Sequence, residues 1–336
     1  MKKINFIRAN KTKFGGAENY LKRLSKELDR QNITHEVVNS TAPGFLSSWI
    51  KALWFNLQVC LSKKNNFYFS LDRITCSDIY RAGDGVHKEF LKTKKRKLNP
   101  LNMVYLFLEK RCFKNSKKII ANSNMVKNQI IDSYKIQKEK IVVIYNGIEI
   151  KPLKPIVDIK KEFNLQDEKI ILYIGSGFER KGVKEAIEIV SLLKTKAKLI
   201  IIGKEKKMGY YQNLADSLHV DAIFTGTRND VDKFYSISDI FLFPTHYEPF
   251  SNVILEAMNF KNAVFTTKQN GAHEILNKEY ILDTPKDYRI AKKIDELLSN
   301  PQKLETIKEQ NLQIVQNFTI EKNAKETMRV IYEYLH

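Results

Sequence analysis

Cysteine is scarce in this chain, and the little there is shows no pattern. Cys60, Cys76 and Cys112 are the three present, and none of them has the close spacing of a zinc site or a thioredoxin-like pair. An odd, scattered set points to a reducing compartment and to a cytosolic protein. Long apolar runs are missing too. The stretch WIKALWFNLQVCL (49–61) is broken by Lys51, Asn56 and Gln58 and falls short of the roughly 20 apolar residues that cross a bilayer; contact with a membrane surface is left open to it. MKKINFIRAN starts basic, but Arg8 and Asn10 interrupt an apolar part too short for a secretory leader. Repeats and low-complexity segments are absent as well. Acid is what the first half lacks most: residues 1–152 carry 30 Lys and Arg against 12 Asp and Glu, and the remainder 27 against 26. Nearly all of the formal charge of +19 therefore sits on the N-terminal half, which should face something anionic.

What is present is enough for two cores. At 336 residues and 43% hydrophobic the chain exceeds the size at which one core usually stops growing. INFIRA reads as a short buried strand, NKTKFGG as a loop, and AENYLKRLSKELDRQ as a helix with Leu21, Leu24 and Leu28 at helical spacing. EVVNS, NFYFSL, KKIIANS and IVVIYNGI continue as strands, the last running into an Asn-Gly turn, with LNMVYLFLEKRCF as a helix between. EIKPLKPIVDIKKEF has no sustained apolar period and reads as a linker leading into a helix. Beyond it KIILYIGSG, KLIIIGK, AIFTG and DIFLFP are short apolar strands alternating with helices VKEAIEIVSLLK, YYQNLADSL, DVDKFYSIS and NVILEAMNF. Such alternation argues for a parallel sheet covered by helices, built twice. The closing TIEKNAKETMRVIYEYL is a helix. In doubly wound sheets ligands bind beyond the carboxyl ends of strands, so the natural place for a ligand is a cleft between two such domains.

One segment there carries unusual chemistry. EPFSNVILE (248–256) holds two acids eight residues apart, too far round a helix to form a simple charged stripe. Pro249 disfavours a helical Glu248, whereas Ser251 is a good N-cap for a helix beginning at Asn252, whose free N–H groups and positive dipole end suit an anion. Two acids flanking such an end fit a molecule with hydroxyls on both sides of a phosphate, as in a nucleotide sugar; a capped core helix with two incidental acids is the plainer alternative. In GSGFERKG (175–182) Arg180 and Lys181 stand on a turn after a strand, where they would neutralise a diphosphate or simply be a solvated pair. FGGAE (14–18) places Gly15 and Gly16 between strand and helix.

Together FGGAE, IANSNMVKNQIIDSYKIQKEKIVVIYNGI, GSGFERKG, FTGTRNDVDKFYSISDIFLFP and EPFSNVILEAM resemble glycosyltransferase family 4, the retaining nucleotide-sugar transferases of the GT-B fold, over nearly the whole chain. The resemblance implies an α/β fold of two facing Rossmann-like, doubly wound parallel-sheet domains with an interdomain cleft: 1–152 binding the acceptor, 153–318 binding the nucleotide sugar, and a C-terminal helix, 319–336, crossing back to the first domain. It implies that Glu248 lies near the transferred sugar and leaving phosphate, that Glu256 accepts from the ribose, and that backbone amides of Asn252 and Val253, within the Phe250–Val253 segment, hold the diphosphate. Arg180 and Lys181 would stabilise the departing diphosphate, Arg228 would line the nucleobase, and Gly15 and Gly16 would admit the donor's phosphates. Ser251 departs from the glycine many relatives have. CSDIYRAGDGVHKEFL (76–91) looks like a segment of the lipopolysaccharide core glucosyltransferases that act on heptose, and Asp84 matches an Asp that stands where other members use His; the other reading is an Asp capping a Gly-rich turn. His87 is its rival, read as structural.

The resemblance leads to an expectation of hexose transfer, from UDP-glucose, to a heptose of a lipopolysaccharide or lipooligosaccharide core, with no cofactor and no metal. On the usual account of the family the leaving phosphate itself would take the acceptor's proton, and DVD (230–232) reads as helix capping, not as a metal motif. LKTKKRKLNP (91–100), with Lys110, Arg111, Lys114, Lys117 and Lys118, would meet an anionic leaflet or acceptor phosphates at the inner face of the inner membrane. Alternatives are another family 4 transferase making capsule, protein glycan or glycolipid, a nucleotide-sugar 2-epimerase, and a nucleic-acid-binding protein. Against the last, no helix-turn-helix, zinc spacing or aromatic RNA-binding signature is present.

Overall fold

The computed structural model of the chain describes residues 3–10, 16–94, 99–153 and 158–335. It divides into two compact units, Met1–Asn146 with Ile320–His336, and Gly147–Thr319.

Unit 1 is built on a six-stranded, wholly parallel sheet. Its strands are β1 (Ile4–Ile7), β2 (His35–Val38), β3 (Phe67–Ser70), β4 (Ile79–Ala82), β5 (Lys118–Ala121) and β6 (Ile141–Val143), and its helices α1 (Gly16–Arg30), α2 (Ser48–Ser62), α3 (His87–Phe90), α4 (Pro100–Asn115) and α5 (Asn124–Tyr134). The strand order β2-β1-β3-β4-β5-β6 reverses direction between β1 and β3, so this is the unit's switch point. Strands β1, β3 and β4 are buried at every position, as expected of a parallel sheet covered on both faces. Leu21, Leu24 and Leu28 of α1 all reach one core with Phe6 and Phe69. Ser123 and Asn99 cap α5 and α4 with their side chains, which is why those helices start where they do. Arg81 on β4 is buried, its guanidinium 3.9 Å from the centre of the Tyr20 ring and bonded to Asn146.

Unit 2 repeats the plan with β7 (Lys169–Ile174), β8 (Ala197–Ile202), β9 (Ala222–Gly226), β10 (Ile240–Phe243), β11 (Ala263–Thr267) and β12 (Ile281–Leu282), again all parallel. Its helices are α6 (Asp158–Glu162), α7 (Phe178–Lys181), α8 (Val183–Ser191), α9 (Met208–Ser217), α10 (Val231–Ile237), α11 (Asn252–Asn259), α12 (Ile290–Ser299) and α13 (Pro301–Val315). The order β12-β11-β10-β7-β8-β9 is that of a Rossmann sheet, with its switch point between β7 and β10. The last helix, α14 (Ile320–Tyr334), belongs to unit 1, where Ala324, Met328 and Ile331 pack into the core containing Leu21 and Leu24, and Thr327 bonds to Tyr20.

Three sequence expectations need correcting. Cys60 and Cys76 are joined in a disulfide with Cα atoms 5.7 Å apart, because the end of α2 lies against the loop after β3; scatter along the chain was no guide to separation in space, and the pair takes away the cysteine argument for a reducing compartment. Cys112 is the buried thiol left over, pushed up to about 12 by burial. Asn146-Gly147 makes no turn; it is where one unit gives way to the other. Asp230 occupies the N-cap position of α10 but makes no capping hydrogen bond; its carboxylate pairs with Arg228 and, at 4.0 Å, with Lys233, and Asp232 pairs with Lys151.

Candidate functional site

Two carboxyl-end loops meet at the switch point of unit 2, one after β7 and one after β10. The first is Gly175–Gly182, in which α7 makes one helical turn. Gly182 ends that turn with φ +80°, and a Cβ there would lie 1.9 Å from the carbonyl oxygen of Pro244. Only glycine meets both conditions, and the close approach it permits draws the α7 turn onto the loop after β10. Hydrogen bonds to the backbone carbonyls of the turn then hold it to the loop after β10 and to β7. The Arg180 carbonyl accepts from the His246 N–H at 2.9 Å and from the Thr245 hydroxyl at 3.3 Å, and the Lys181 carbonyl accepts from Tyr173 at 3.1 Å.

The side chains converge as a result. Arg180 Nη1 donates to Glu248 Oε2 at 2.8 Å and to the Tyr247 carbonyl at 2.7 Å, and Lys181 Nζ lies 3.6 Å from the same Glu248 oxygen. Two cations thus flank one carboxylate, and all three side chains are partly buried, with Lys181 and Glu248 17% and 18% exposed. Glu248 itself is fixed through its backbone, donating to the Gln269 carbonyl and accepting from the Gly271 N–H, each at 2.9 Å. Asn270, wholly buried, supports the next residues by accepting from the Ser251 N–H at 3.3 Å. Behind the turn, His246 Nε2 lies 3.0 Å from Glu185. Burial would raise the Glu185 carboxyl, yet the His246 hydrogen bond and charge and a backbone N–H hold it below the usual carboxylate range.

From this loop α11 departs. Ser251 sits at the N-cap position with an extended backbone, but its side chain makes no capping hydrogen bond. The amino end of α11 is therefore left without the cap that the sequence promised, a feature that suits a bound anion better than a capped end would. Phe250 and Ser251 are buried, while Asn252, Val253 and Glu256 are half-buried. Glu256 accepts from the Tyr235 hydroxyl at 3.1 Å. Arg228 stands apart, chelated by Glu162 at 2.8 and 3.1 Å and by Asp230 at 2.9 Å, with its guanidinium 5.3 Å from the Phe234 ring centre. Unit 2 thus brings Arg180, Lys181 and Glu248 into direct contact and places Glu256 on the adjoining helix.

Unit 1 supports its own candidates differently. Gly15 lies outside the described residues and Gly16 opens α1. Asp84 is exposed in the turn after β4, next to Gly85, which has φ +70°. The turn rests on buried charge. Arg73 donates to the Gly85 carbonyl at 3.3 Å and to Glu109 at 2.9 Å, and Glu109, fully buried, also accepts from the His87 N–H at 2.7 Å and from Tyr134 at 2.6 Å. Asn122 donates to the Gly83 carbonyl at 3.0 Å. His87 is a core residue: burial, then the Arg73 cation, holds it below the usual imidazole range, and Tyr105 packs edge-on to its ring. At the switch point itself Arg8 is gripped by Glu18 at 2.9 Å and Asp72 at 3.3 Å. Sequence reasoning passed over Arg8, Asp72, Arg73, Glu109, His246 and Asn270. None belongs to a local motif, and each matters through a partner distant in sequence. Among the described residues no three His, Cys, Asp or Glu are grouped to hold a metal, and no helix is long and apolar enough to cross a membrane.

Known proteins similar to this chain are glycosyltransferases. Residues 156–313 match the family described as glycosyl transferases group 1, and residues 79–151 match glycosyltransferase family 4. The chain is 29% identical over 233 residues to the capsular polysaccharide biosynthesis glycosyltransferase CapM of Staphylococcus aureus, covering 65% of this chain and 60% of that one. It is 28% identical over 218 residues to the lipopolysaccharide glucosyltransferase WaaG of Escherichia coli, covering 59% of this chain and 58% of that one. The matches thus span about three fifths of the length of these relatives. In three dimensions the crystal structure of WaaG superimposes with a TM-score of 0.82 at 18% identity, covering 98% of this chain and 99% of that one. That of Anabaena HepE in complex with UDP-glucose superimposes with a TM-score of 0.75 at 18% identity, covering 99% and 100%. These likenesses establish the shared GT-B type of fold.

Proposed function

We propose that this chain, which belongs to the glycosyltransferases described by those two families, transfers a hexose from a nucleotide sugar to a saccharide acceptor with retention of configuration. The observation that carries the proposal is the contact of Arg180 and Lys181 with Glu248 at the unit 2 switch point, beside the uncapped amino end of α11. The two cations and the α11 backbone amides would take the donor's diphosphate, freeing the Glu248 carboxylate to accept from hydroxyls of the transferred sugar. Glu256, already oriented by Tyr235, would accept from the ribose. As the bond from the anomeric carbon to phosphate breaks, negative charge grows on the departing oxygen, and two fixed cations stabilise it without reorganisation. The acceptor oxygen bonds to the same face, and its proton passes to the leaving phosphate, so neither a protein base nor a metal is called for. Asp84, exposed on its rigid turn, would orient the acceptor or the donor sugar. Phe250, Ser251, Asn252 and Val253 complete the donor set, together with Gly15, Gly16 and Arg228.

For the donor we propose UDP-glucose, supported by the UDP-glucose bound to the similarly folded HepE. For the acceptor we propose a heptose of a lipopolysaccharide or lipooligosaccharide core at the cytoplasmic face of the inner membrane, supported by the likeness to WaaG and by the basic first half. The likeness to CapM favours a second acceptor, a growing capsular saccharide. Incubating purified protein with a panel of nucleotide sugars and a truncated core acceptor, and weighing the products, tests the reading: a mass gain of one hexose from UDP-glucose supports it, and donor consumption without acceptor, giving an isomer, would replace it with an epimerase.

A further inference from the structure

Helix α2 has its apolar stripe on the wrong side. Phe55 and Val59 face the core, yet Trp54, Leu57 and Leu61 are 45%, 59% and 82% exposed. With Ile50 they recur at the four-, three- and four-residue steps of a single helix face. Phe45, in the turn just before the helix, is 88% exposed. Helix α4 packs against α2 and continues the surface, for Met103 and Phe107 are 70% and 53% exposed, and Lys110 and Lys114 follow on the same face. Monomeric proteins seldom leave so many large apolar side chains together in water.

The charge around this stripe names its occupant. Residues 37–71 contain no Asp or Glu, and residues 90–131 contain only Glu109, which is fully buried. The exposed face of α4 thus presents Lys110, Arg111 and Lys114, and Lys64 is exposed in the turn after α2, with no acid among them. Arg111 lies over the Phe107 ring at 5.8 Å, so cation and aromatic form one amphipathic patch. A protein partner of ordinary composition needs no such exclusion of acids. An anionic bilayer does: aromatic and aliphatic side chains enter the interface while lysines reach the headgroups. Both tryptophans of the chain, Trp49 and Trp54, lie on α2, where aromatic rings favour the interface.

We infer that the α2–α4 face inserts into an anionic lipid surface, with Phe45, Trp54, Leu57 and Leu61 as the inserting side chains and the α4 cations as the headgroup contacts. This deepens the membrane part of the proposed function by naming its surface, and it stands without the transfer reaction.

The test uses the full chain and vesicles of phosphatidylcholine with or without about one quarter phosphatidylglycerol. The expected result is co-sedimentation with the anionic vesicles, a blue shift of tryptophan emission and quenching by brominated acyl chains. L57E/L61E changes exposed positions only and should keep the native circular dichroism spectrum and turnover of a soluble acceptor while weakening vesicle binding at least about tenfold. K110E/K114E should weaken it less, with a reduced salt dependence. Binding that salt reverses fully, with unmoved emission and no response to L57E/L61E, overturns insertion and leaves only surface attraction. No binding to either vesicle overturns both. A wild-type dimer that L57E/L61E dissociates, with no vesicle binding, reassigns the face to a second copy of the chain.

Discussion

The two units share a sheet plan but hold their candidate residues in opposite ways. In unit 2 the charged side chains meet one another, partly buried, at the switch point: Arg180 and Lys181 share one oxygen of Glu248, and the backbone beneath is tied down by His246, Tyr173 and Asn270. In unit 1 the exposed candidate Asp84 makes no such direct contact among the described residues, although the Arg8 and Arg73 cations feel its charge, and its turn is defined by Glu109, fully buried, and Arg73, partly buried. The difference teaches where each unit commits free energy. Unit 2 holds its charges against one another in a partly buried cluster, ready to exchange an internal partner for a ligand. Unit 1 keeps charge inside, where it fixes backbone, and presents a basic exterior instead.

The sharpest way to break this comparison is to mutate the two candidate acids in parallel. E248Q keeps the shape but removes the charge held between two cations, and turnover should fall by about 10²–10³ with UDP affinity changed only a few-fold. D84N should cost far less, about tenfold, because Arg8 and Arg73 act on its charge only from a distance, whereas Arg180 and Lys181 touch Glu248. Equal losses would erase the distinction between the units. Next comes stability. E109Q leaves the partly buried Arg73 beside a fully buried neutral amide and withdraws a charged acceptor from the His87 N–H, so denaturant unfolding should show a loss of about 3 kcal/mol, whereas E248Q, at a more exposed site, should change stability little.

The smallest effect concerns pH. His87 has a folded value below its ordinary 6.5, so the unfolded chain takes up the proton first as pH falls. The contribution is fully present above about pH 6.5 and is lost as pH drops through the depressed folded value. Thermal midpoints measured from pH 7.5 down to pH 5 should decline in the wild type, and H87Q should flatten that decline. A wild-type profile no steeper than that of H87Q would show that the ring is not held neutral.

Much of unit 2 could be read directly from the chain, because its elements are long relative to their neighbours and its site residues lie at fixed offsets from strand ends. KIILYI, KLIII, AIFTG and IFLF all became strands, and EPFSNVILE and FERKG sit at the ends of two of them. The features that escaped share a physical cause, dependence on partners far away in sequence or on elements too short to show a pattern. Strand β4 is four residues long and carries Arg81, whose buried charge is offset by Asn146 and the Tyr20 ring; without those partners the segment reads as a loop. AVFTT was passed over between a helix and a polar loop, and β12 has only two residues. Glu109 looks like one more acid on a charged helix until the residues at 73, 87 and 134 close around it. The Cys60–Cys76 pair was hidden for the same reason, since proximity across a loop leaves no trace in spacing. Part of the basic run, 95–97, lies outside the described residues.

The central claim is that the unit 2 switch point grips a diphosphate through Arg180, Lys181 and the start of α11. Calorimetric titration of UDP into the wild type and the R180A/K181A double variant tests it most directly. One site per chain in the wild type, weakened at least about 30-fold in the double variant, or roughly 2 kcal/mol, is the predicted result; identical affinity in the two proteins would contradict it.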